Sequence, residues 1–406
     1  MENLNEKEVE VCRKIDEMYE EIVEFLKELI SINSEVPPGN YKNIIEFYTN
    51  KVREYGFEVK IIEKPGSGKP NVLARLPGTL GKPTLIYNSH LDTVPGGEGW
   101  DPFKAEIKNG KIYGRGAMDC KGMAAASTMA AKALKDVGLK LKGNLDLLAI
   151  VDDENGGDDS WHYMVEKKLI KGDTIIAEGG GQDVIINCSS TVLVLEIIVK
   201  GIATHAQTEV TRKRGINAIL KMNKVIDAID NYSKILELKT SKIPNLERCY
   251  MNIASVKGGI EGIWNIFPEK CTMQMELRLV PEYNPNEIID EIKEVIKNLT
   301  KEDPELKLEV KELWRVPGFN VPDDLPIIKI LKEYIRKITG VDVKTGGIGG
   351  FLPLGHFKEI GISGVTWNPG IFNECNLHQI DENLDIKHLI NSTKVYALTA
   401  MRYLSY

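Results

Sequence analysis

Between residues 6 and 33 apolar side chains recur at helical spacing, with Val11, Ile15, Met18, Ile22, Phe25, Leu26, Leu29 and Ile30 on one stripe. The pattern predicts a long amphipathic helix, which Pro37-Pro38-Gly39-Asn40 ends. A second helix over 41–54 leads into strand-like runs at 58–62, 71–76 and 84–87. The last is apolar on both faces, as a central strand of a covered sheet should be. A hairpin is expected at 104–107 and 111–113 around Asn109-Gly110, then an alanine-rich helix over 122–135. Two further apolar runs, 145–151 and 174–177, end in Asp152-Asp153-Glu154-Asn155-Gly156-Gly157 and Glu178-Gly179-Gly180-Gly181. Apolar strand, carboxylate, then glycine is the recurring theme, and open α/β sheets place their chemistry at such strand ends.

From 192 to 314 the texture changes. A strand over 192–200, a helix over 215–231, strands over 250–256 and 271–280, a helix over 285–299 and a strand over 306–313 give β-α-β-β-α-β, the split βαβ order. A helix over 325–338, a strand at 364–367 and a terminal helix over 385–404 rejoin the first pattern. The expectation is an α/β protein of two domains. Residues 1–191 and 315–406 form a mixed-sheet domain, into which an α+β, ferredoxin-like domain of residues 192–314 is inserted.

Composition adds limits more than detail. A chain of 406 residues is too long for one ordinary core. With 42% hydrophobic and 27% charged residues it reads as globular. A net charge of -7 and the lack of a basic tract argue against nucleic acid as a partner. No run is long enough to span a membrane and the N-terminus lacks a signal-peptide pattern, so no membrane partner is expected and cytoplasm is the expected compartment. Cys12, Cys120, Cys188, Cys249, Cys271 and Cys375 are scattered without a C-x-x-C pair, which predicts reduced thiols and no thiolate zinc site.

The candidate chemistry begins at Tyr87-Asn88-Ser89-His90-Leu91-Asp92. Residues two apart in a strand share a face, so His90 and Asp92 look into one crevice, as a metal-binding imidazole and the acid that orients it would. His90, Asp119, Glu154, Glu178 and His378 make a set of two imidazoles and three carboxylates that favours zinc, with cobalt or manganese able to substitute. Five ligands exceed what one catalytic zinc needs and suit two metals about 3.5–4 Å apart. Such a pair lowers the pKa of a bound water toward about 7 and polarises a carbonyl, and a nearby carboxylate can carry the proton to a leaving nitrogen. The reaction implied is hydrolysis of an amide or peptide bond.

Ser89-His90-Leu91-Asp92-Thr93-Val94-Pro95, Gly114-Arg115-Gly116-Ala117-Met118-Asp119-Cys120-Lys121-Gly122, the acidic run 152–157, the glycine-flanked Glu178 and the late His378 occur in this order. Together they resemble the di-zinc amidohydrolases and metallopeptidases that include aminoacylase, acetylornithine deacetylase, succinyl-diaminopimelate desuccinylase and glutamate carboxypeptidase. The resemblance covers nearly the whole chain. It implies a zinc-peptidase catalytic domain and makes the insert a lid and dimerisation domain. His90 and Glu178 would hold one zinc, Glu154 and His378 the other, and Asp119 would bridge them, followed by a cis peptide to Cys120. Asp153 would be the general base and Asp92 would orient His90. In the insert, His205 would stabilise the oxyanion, across a homodimer in many relatives, and Asn265 and Arg278 would meet substrate. An N-acyl amino acid or a short peptide with a free carboxylate is the implied substrate, with a di- or aminopeptidase as the alternative.

Three departures from that pattern matter. Asp153 stands where the family has Glu, one methylene longer, so an impaired relative that binds a metabolite or protein is a second alternative. Glu209-Val210-Thr211-Arg212-Lys213-Arg214 lengthens a turn; it reads first as a solvated charge run and second as a recruiter of acidic substrate. Near Gly346-Gly347-Ile348-Gly349-Gly350-Phe351-Leu352-Pro353 the polar groups of relatives are replaced by glycine and apolar residues. Pro65-Gly66-Ser67-Gly68-Lys69-Pro70 lacks the spacing of a phosphate loop and reads as a turn. His162, His356 and His388 lie in no motif.

Overall fold

The structure is a computed structural model that describes residues 4–405 except 208, 209, 211, 212 and 351. Glu209, Thr211 and Arg212 of the basic turn, and Phe351 of the glycine-rich run, therefore lie outside the described residues. The chain divides into two compact units, one of residues 1–187, 321–346 and 356–406 and one of residues 188–320 and 347–355.

The first unit opens with α1 (Glu6–Glu17), α2 (Tyr19–Ser31) and α3 (Lys42–Glu54). The expected long helix is broken at Met18, whose ψ of 10° departs from the helix while its side chain stays buried. Strands β1 (Glu58–Ile62), β2 (Asn71–Leu76), β3 (Thr84–His90), β4 (Glu106–Lys108) and β5 (Lys111–Tyr113) follow. Then come α4 (Lys121–Asp136), β6 (Asn144–Ile150), α5 (Trp161–Glu166), β7 (Thr174–Ala177) and β8 (Val184–Ser189).

The second unit contains β9 (Thr191–Lys200), α6 (Ala218–Leu236), β10 (Tyr250–Gly258), β11 (Lys270–Leu279), α7 (Pro285–Glu302) and β12 (Lys307–Val316). The chain ends with α8 (Pro326–Thr339), β13 (Lys344–Ile348), α9 (Leu354–Glu359), β14 (Ser363–Thr366), β15 (Asn383–Asp385) and α10 (Ile386–Leu404).

The large sheet has the order β1-β2-β6-β3-β7-β14-β8-β13. Its centre is parallel: β3 runs with β6 and β7, and β7 with β14. Every residue of β3 and β6 is buried, as a strand covered on both faces requires. Helices α4 and α10 pack on each other and on β3 and β6. Tyr87 fixes that packing by donating its hydroxyl to the Tyr396 carbonyl at 2.6 Å. The parallel register sets His90 beside Ile150 and Asn88 beside Ala177, so the carboxyl ends of three adjacent strands finish at nearly one level. Asp92, the acidic run 152–154 and Glu178 all leave the sheet there.

In the second unit the antiparallel sheet has the order β10-β11-β9-β12, the ferredoxin-like arrangement. Leu193, Leu195, Ile197, Met273, Met275 and Leu277 alternate onto the buried face and share a core with Met222, Val225 and Ile229 of α6 and Ile292 of α7. Glu196, Gln274, Glu276 and Arg278 occupy the intervening positions. Residues flanking the expected insert go with it because they pair with each other: Cys188 bridges Asn320, and the Ser189 N–H donates to the Phe319 carbonyl at 2.9 Å. Among the described residues all six cysteines are buried and none forms a disulfide. No described helix is long and apolar enough to cross a membrane.

Candidate metal centre

His90 closes β3 almost completely buried. Its Nδ1 lies 3.0 Å from the backbone carbonyl of Asp92 and 3.5 Å from Asp92 Oδ1. A carbonyl only accepts, so Nδ1 carries the proton and a neutral ring presents a bare Nε2. That Nε2 is 3.0 Å from Asp119 Oδ1. The other oxygen, Asp119 Oδ2, is 3.0 Å from His378 Nε2, which lies 3.2 Å from Glu154 Oε1. One carboxylate thus faces two imidazoles with a different oxygen for each.

Two sets of donor atoms lie within 4.8 Å of one another, one from His90, Asp119 and Cys120 and one from Asp119, Glu154 and His378, so that Asp119 is common to both. Glu178 and Asp153 belong to neither set. Asp153 Oδ1 is buried without a hydrogen-bond partner among the described residues, and the buried Asp92 Oδ1 and Glu154 Oε1 face only the imidazoles of His90 at 3.5 Å and His378 at 3.2 Å. Lone pairs that face each other across 3 Å need a proton or a cation between them, and buried carboxylates without donors have the same need. The donor set therefore fits metal cations, and its mixture of imidazole and carboxylate suits zinc, cobalt or manganese.

The electrostatics say the same. Burial opposes charge on Asp119, but hydrogen bonds to His378 and His90 outweigh it and hold the carboxyl well below its ordinary range. His378 is pushed up to about 10 by its contacts with Asp119 and Glu154. For His90 burial works downward, and the bonds to Asp119 and Asp92 reverse it. Glu178 is driven well up by burial, then by Asp119 and Asp153. Burial, with Asp92 and Glu154 nearby, pushes Asp153 up to about 7. Such crowding of acids is costly without positive charge among them.

Sequence reasoning expected the cis peptide after Asp119 and a bracing place for Asp92, but it gave no part to Arg115, Lys121 and Glu382, which also hold this cluster in shape. Arg115 and Glu382, both buried, pair at 2.7 Å from Nη1 to Oε2. Glu382 Oε1 accepts the N–H groups of Met118 at 3.0 Å and Asp119 at 3.1 Å, which aims the Asp119 backbone. The Asp119–Cys120 peptide is cis. Lys121, wholly buried, donates from Nζ to the Ile32 carbonyl at 2.9 Å, and Asp92 Oδ2 accepts the Glu154 N–H at 3.0 Å. His378 itself has a φ of 58°, a left-handed conformation that a residue with a Cβ rarely adopts. The available signal for Glu382 was its place beside the His378 run; nothing local marks Cys120 as a donor.

His205, Asn265 and Arg278 belong to the second unit. Residues 204–206 run beside 265–267, with the Ala206 N–H donating to the Asn265 carbonyl at 2.9 Å and the Phe267 N–H to the Thr204 carbonyl at 2.9 Å. This sets the Asn265 side chain 3.3 Å from His205 Nε2. The Gln207 N–H donates to His205 Nδ1 at 3.1 Å, so a neutral ring carries its proton on Nε2, which requires the Asn265 amide, whose Nδ2 stands at 3.3 Å, to turn its oxygen there instead. Arg278 donates from Nε to Glu276 at 2.7 Å and from Nη1 to the Gly349 carbonyl at 3.0 Å.

A model of peptidase family M20/M25/M40 matches residues 86–402, a span that holds every candidate ligand. The chain belongs to this family. An uncharacterized metallohydrolase of Methanocaldococcus jannaschii is 27% identical over 94% of this chain and 98% of its own length. The N-formyl-4-amino-5-aminomethyl-2-methylpyrimidine deformylase of Halalkalibacterium halodurans is 26% identical over 95% of each protein. Among solved structures, an M20 family metallo-carboxypeptidase from Sulfolobus solfataricus shares the fold with a TM-score of 0.71, at 22% identity, covering 94% of this chain and 99% of that one. This M20-family protein is thus a metallohydrolase of amide or peptide bonds, with the matched span running through both units.

Proposed function

We propose that this chain is a two-metal hydrolase that removes the acyl group from an N-acyl amino acid or cleaves a short peptide with a free carboxylate. The observation that carries the reading is Asp119, whose two oxygens each lie 3.0 Å from the Nε2 of a different histidine. His90 and Glu178 would hold one zinc, Glu154 and His378 the other, with Asp119 shared. When bound, the metals supply a water acidified toward about 7 and a polarised carbonyl.

The remaining work falls to the chain. Asp153, buried with Oδ1 free of hydrogen bonds among the described residues, takes the proton of the attacking water and gives it to the leaving nitrogen. Asp92 holds His90 through its carbonyl and Glu154 through Oδ2. His205 donates from Nε2 to the carbonyl oxygen as it gains charge. Arg278, with its Nη2 edge uncommitted to Glu276 or Gly349, binds the substrate carboxylate, and Asn265 flanks it. The second unit acts as a lid and as the surface of a homodimer, and the reaction is placed in the cytoplasm. The deformylase relative, named for removing an acyl group from nitrogen, favours deacylation over the di- or aminopeptidase alternative. Comparison of N-acetyl and N-succinyl amino acids with dipeptides tests this: faster turnover of dipeptides would replace the deacylase with a peptidase.

Asp153 supports a second reading, an impaired relative that binds a metabolite or protein, because its carboxylate is one methylene shorter than the family's Glu. Asp153→Glu decides between them. Activity gained from an inert wild type favours the impaired reading, and an active wild type removes it.

A further inference from the structure

The turn that carries Asp153 and Glu154 is unusually acidic: Asp152, Asp153, Glu154, Asp158 and Asp159 fall within eight residues. One ammonium ties the two ends of this segment together. Lys69 Nζ lies 2.9 Å from Asp152 Oδ1 and 2.9 Å from Asp159 Oδ2, and Lys64 Nζ lies 2.5 Å from Asp159 Oδ1. Both lysines come from the 64–69 stretch just before β2, which carries no motif.

Asp152 is 1% exposed and has a φ of 70°, so its backbone sits in a region that costs a residue with a Cβ about 1–2 kcal/mol. Something must hold it there. Its carbonyl accepts the Gly157 N–H at 2.8 Å, and that of Asp153 accepts the Gly156 N–H at 2.9 Å. Those bonds close the turn on itself but do not fix where it points. Besides the lysines on Asp159 and the contact of Glu154 with His378, three attachments from outside the turn hold residues 151–154 among the described residues. Lys69 holds the Asp152 carboxylate, Asn71 Oδ1 accepts the Val151 N–H at 3.0 Å, and Asp92 Oδ2 accepts the Glu154 N–H at 3.0 Å. Asn71 also donates to the Lys69 carbonyl at 3.2 Å, so Lys69 and Asn71 act from one braced corner. Asp153 lies between the points fixed by Lys69 and by Asp92.

We infer that Lys69 is a positioning residue for Asp153 and Glu154: shared between Asp152 and Asp159, it sets the turn that aims both carboxylates into the metal cluster. For Asp153 this rests on the hydrolase reading above, whereas for Glu154 it requires only that the cluster binds metal. Charge-assisted bonds to two carboxylates are short and directional. Loss of an outer partner of a metal ligand commonly costs about 10–100-fold in metal affinity or activity, and a misplacement of about 1 Å costs about a hundredfold in rate.

The test measures zinc affinity by competition titration, kcat and KM on the best substrate, and thermal unfolding of the intact protein. Lys69→Met is expected to weaken zinc about tenfold and to lower kcat about 10–100-fold while KM stays within about twofold of wild type. Lys69→Arg, which can still bridge two carboxylates, is expected to restore most of both. Wild-type zinc affinity and kcat in Lys69→Met, with only a lower unfolding temperature, would make Lys69 a structural tie and overturn the inference. Should Lys69→Met fail to fold, Asp159→Asn decides: reduced zinc affinity supports positioning, and unchanged affinity and kcat overturn it. If the wild type hydrolyses nothing, the hydrolase reading fails while the zinc titration still decides the role of Lys69.

Discussion

The cluster at the ends of β3, β6 and β7 and the pair His205–Asn265 in the second unit are both built from polar side chains, yet the chain fixes them to very different degrees. Asp119 is held by two histidines and by Glu382 on its own N–H, and His90 and Asp92 are almost wholly buried. His205 and Asn265 are exposed, on a segment flanked by strongly exposed apolar residues such as Trp264 at 90% and Ile260 at 71%. Buried charge must be neutralised where it stands, so the first region declares a ligand from its own energetics. An exposed imidazole is solvated at no cost and declares nothing until substrate arrives.

Substitutions in the two regions should therefore separate cleanly. Asp153→Ala is expected to lower kcat about 10²–10⁴-fold, the usual worth of a positioned general base, in steady-state assays where zinc affinity is little changed. His205→Ala should cost about 10²–10³-fold in kcat, as loss of an oxyanion donor does, with an unaltered unfolding temperature because the ring is exposed. A drop in stability there would break the contrast. Asp92→Ala sits on the other side of it: zinc affinity should fall about 10–100-fold, and chemical denaturation should show lost stability, since Asp92 also holds the Glu154 N–H.

The smallest effect concerns a buried histidine away from the cluster. His356 lies tilted against Trp161 and His162, with ring centroids 4.9 Å and 5.1 Å away, and burial, then the neighbouring His162, lowers its pKa to about 4. The unfolded chain binds this proton below about pH 6.5, the folded protein only below about 4, so between these values the unfolded state carries more protons and stability rises with pH. Urea unfolding at several pH values should show stability lost as pH falls from about 6.5 toward 4, with a shallower loss in His356→Phe.

Much of this was legible in the sequence, and unevenly so. The central strands and the α4 and α10 helices were readable because buried runs and alanine-rich stripes leave strong periodic signals. Among the candidate ligands, His90, Asp119, Glu154 and Glu178 stand out in the sequence because each ends an apolar strand or sits in a glycine-flanked turn, whereas His378 has neither setting. What stayed hidden depends on long-range pairing. The break at Met18 has no proline or glycine to mark it. Strand β8 is a short apolar run after three glycines whose partner, β14, lies far along the chain. The sequence assigns no role to Glu382, in the His378 run, or to Lys69, in the 65–70 turn, and only the folded chain brings one to the Asp119 N–H and the other to Asp152. Cys120 enters the donor set through its place beside Asp119, which no spacing rule would have picked out.

The most direct test of the central claim is hydrolysis of a panel of N-acyl amino acids and dipeptides by protein stripped with a chelator and then reloaded with zinc. The account predicts turnover of at least one amide in that panel, abolished by stripping and restored by zinc. Turnover that survives stripping, or no turnover of any amide by the reloaded protein, would contradict it.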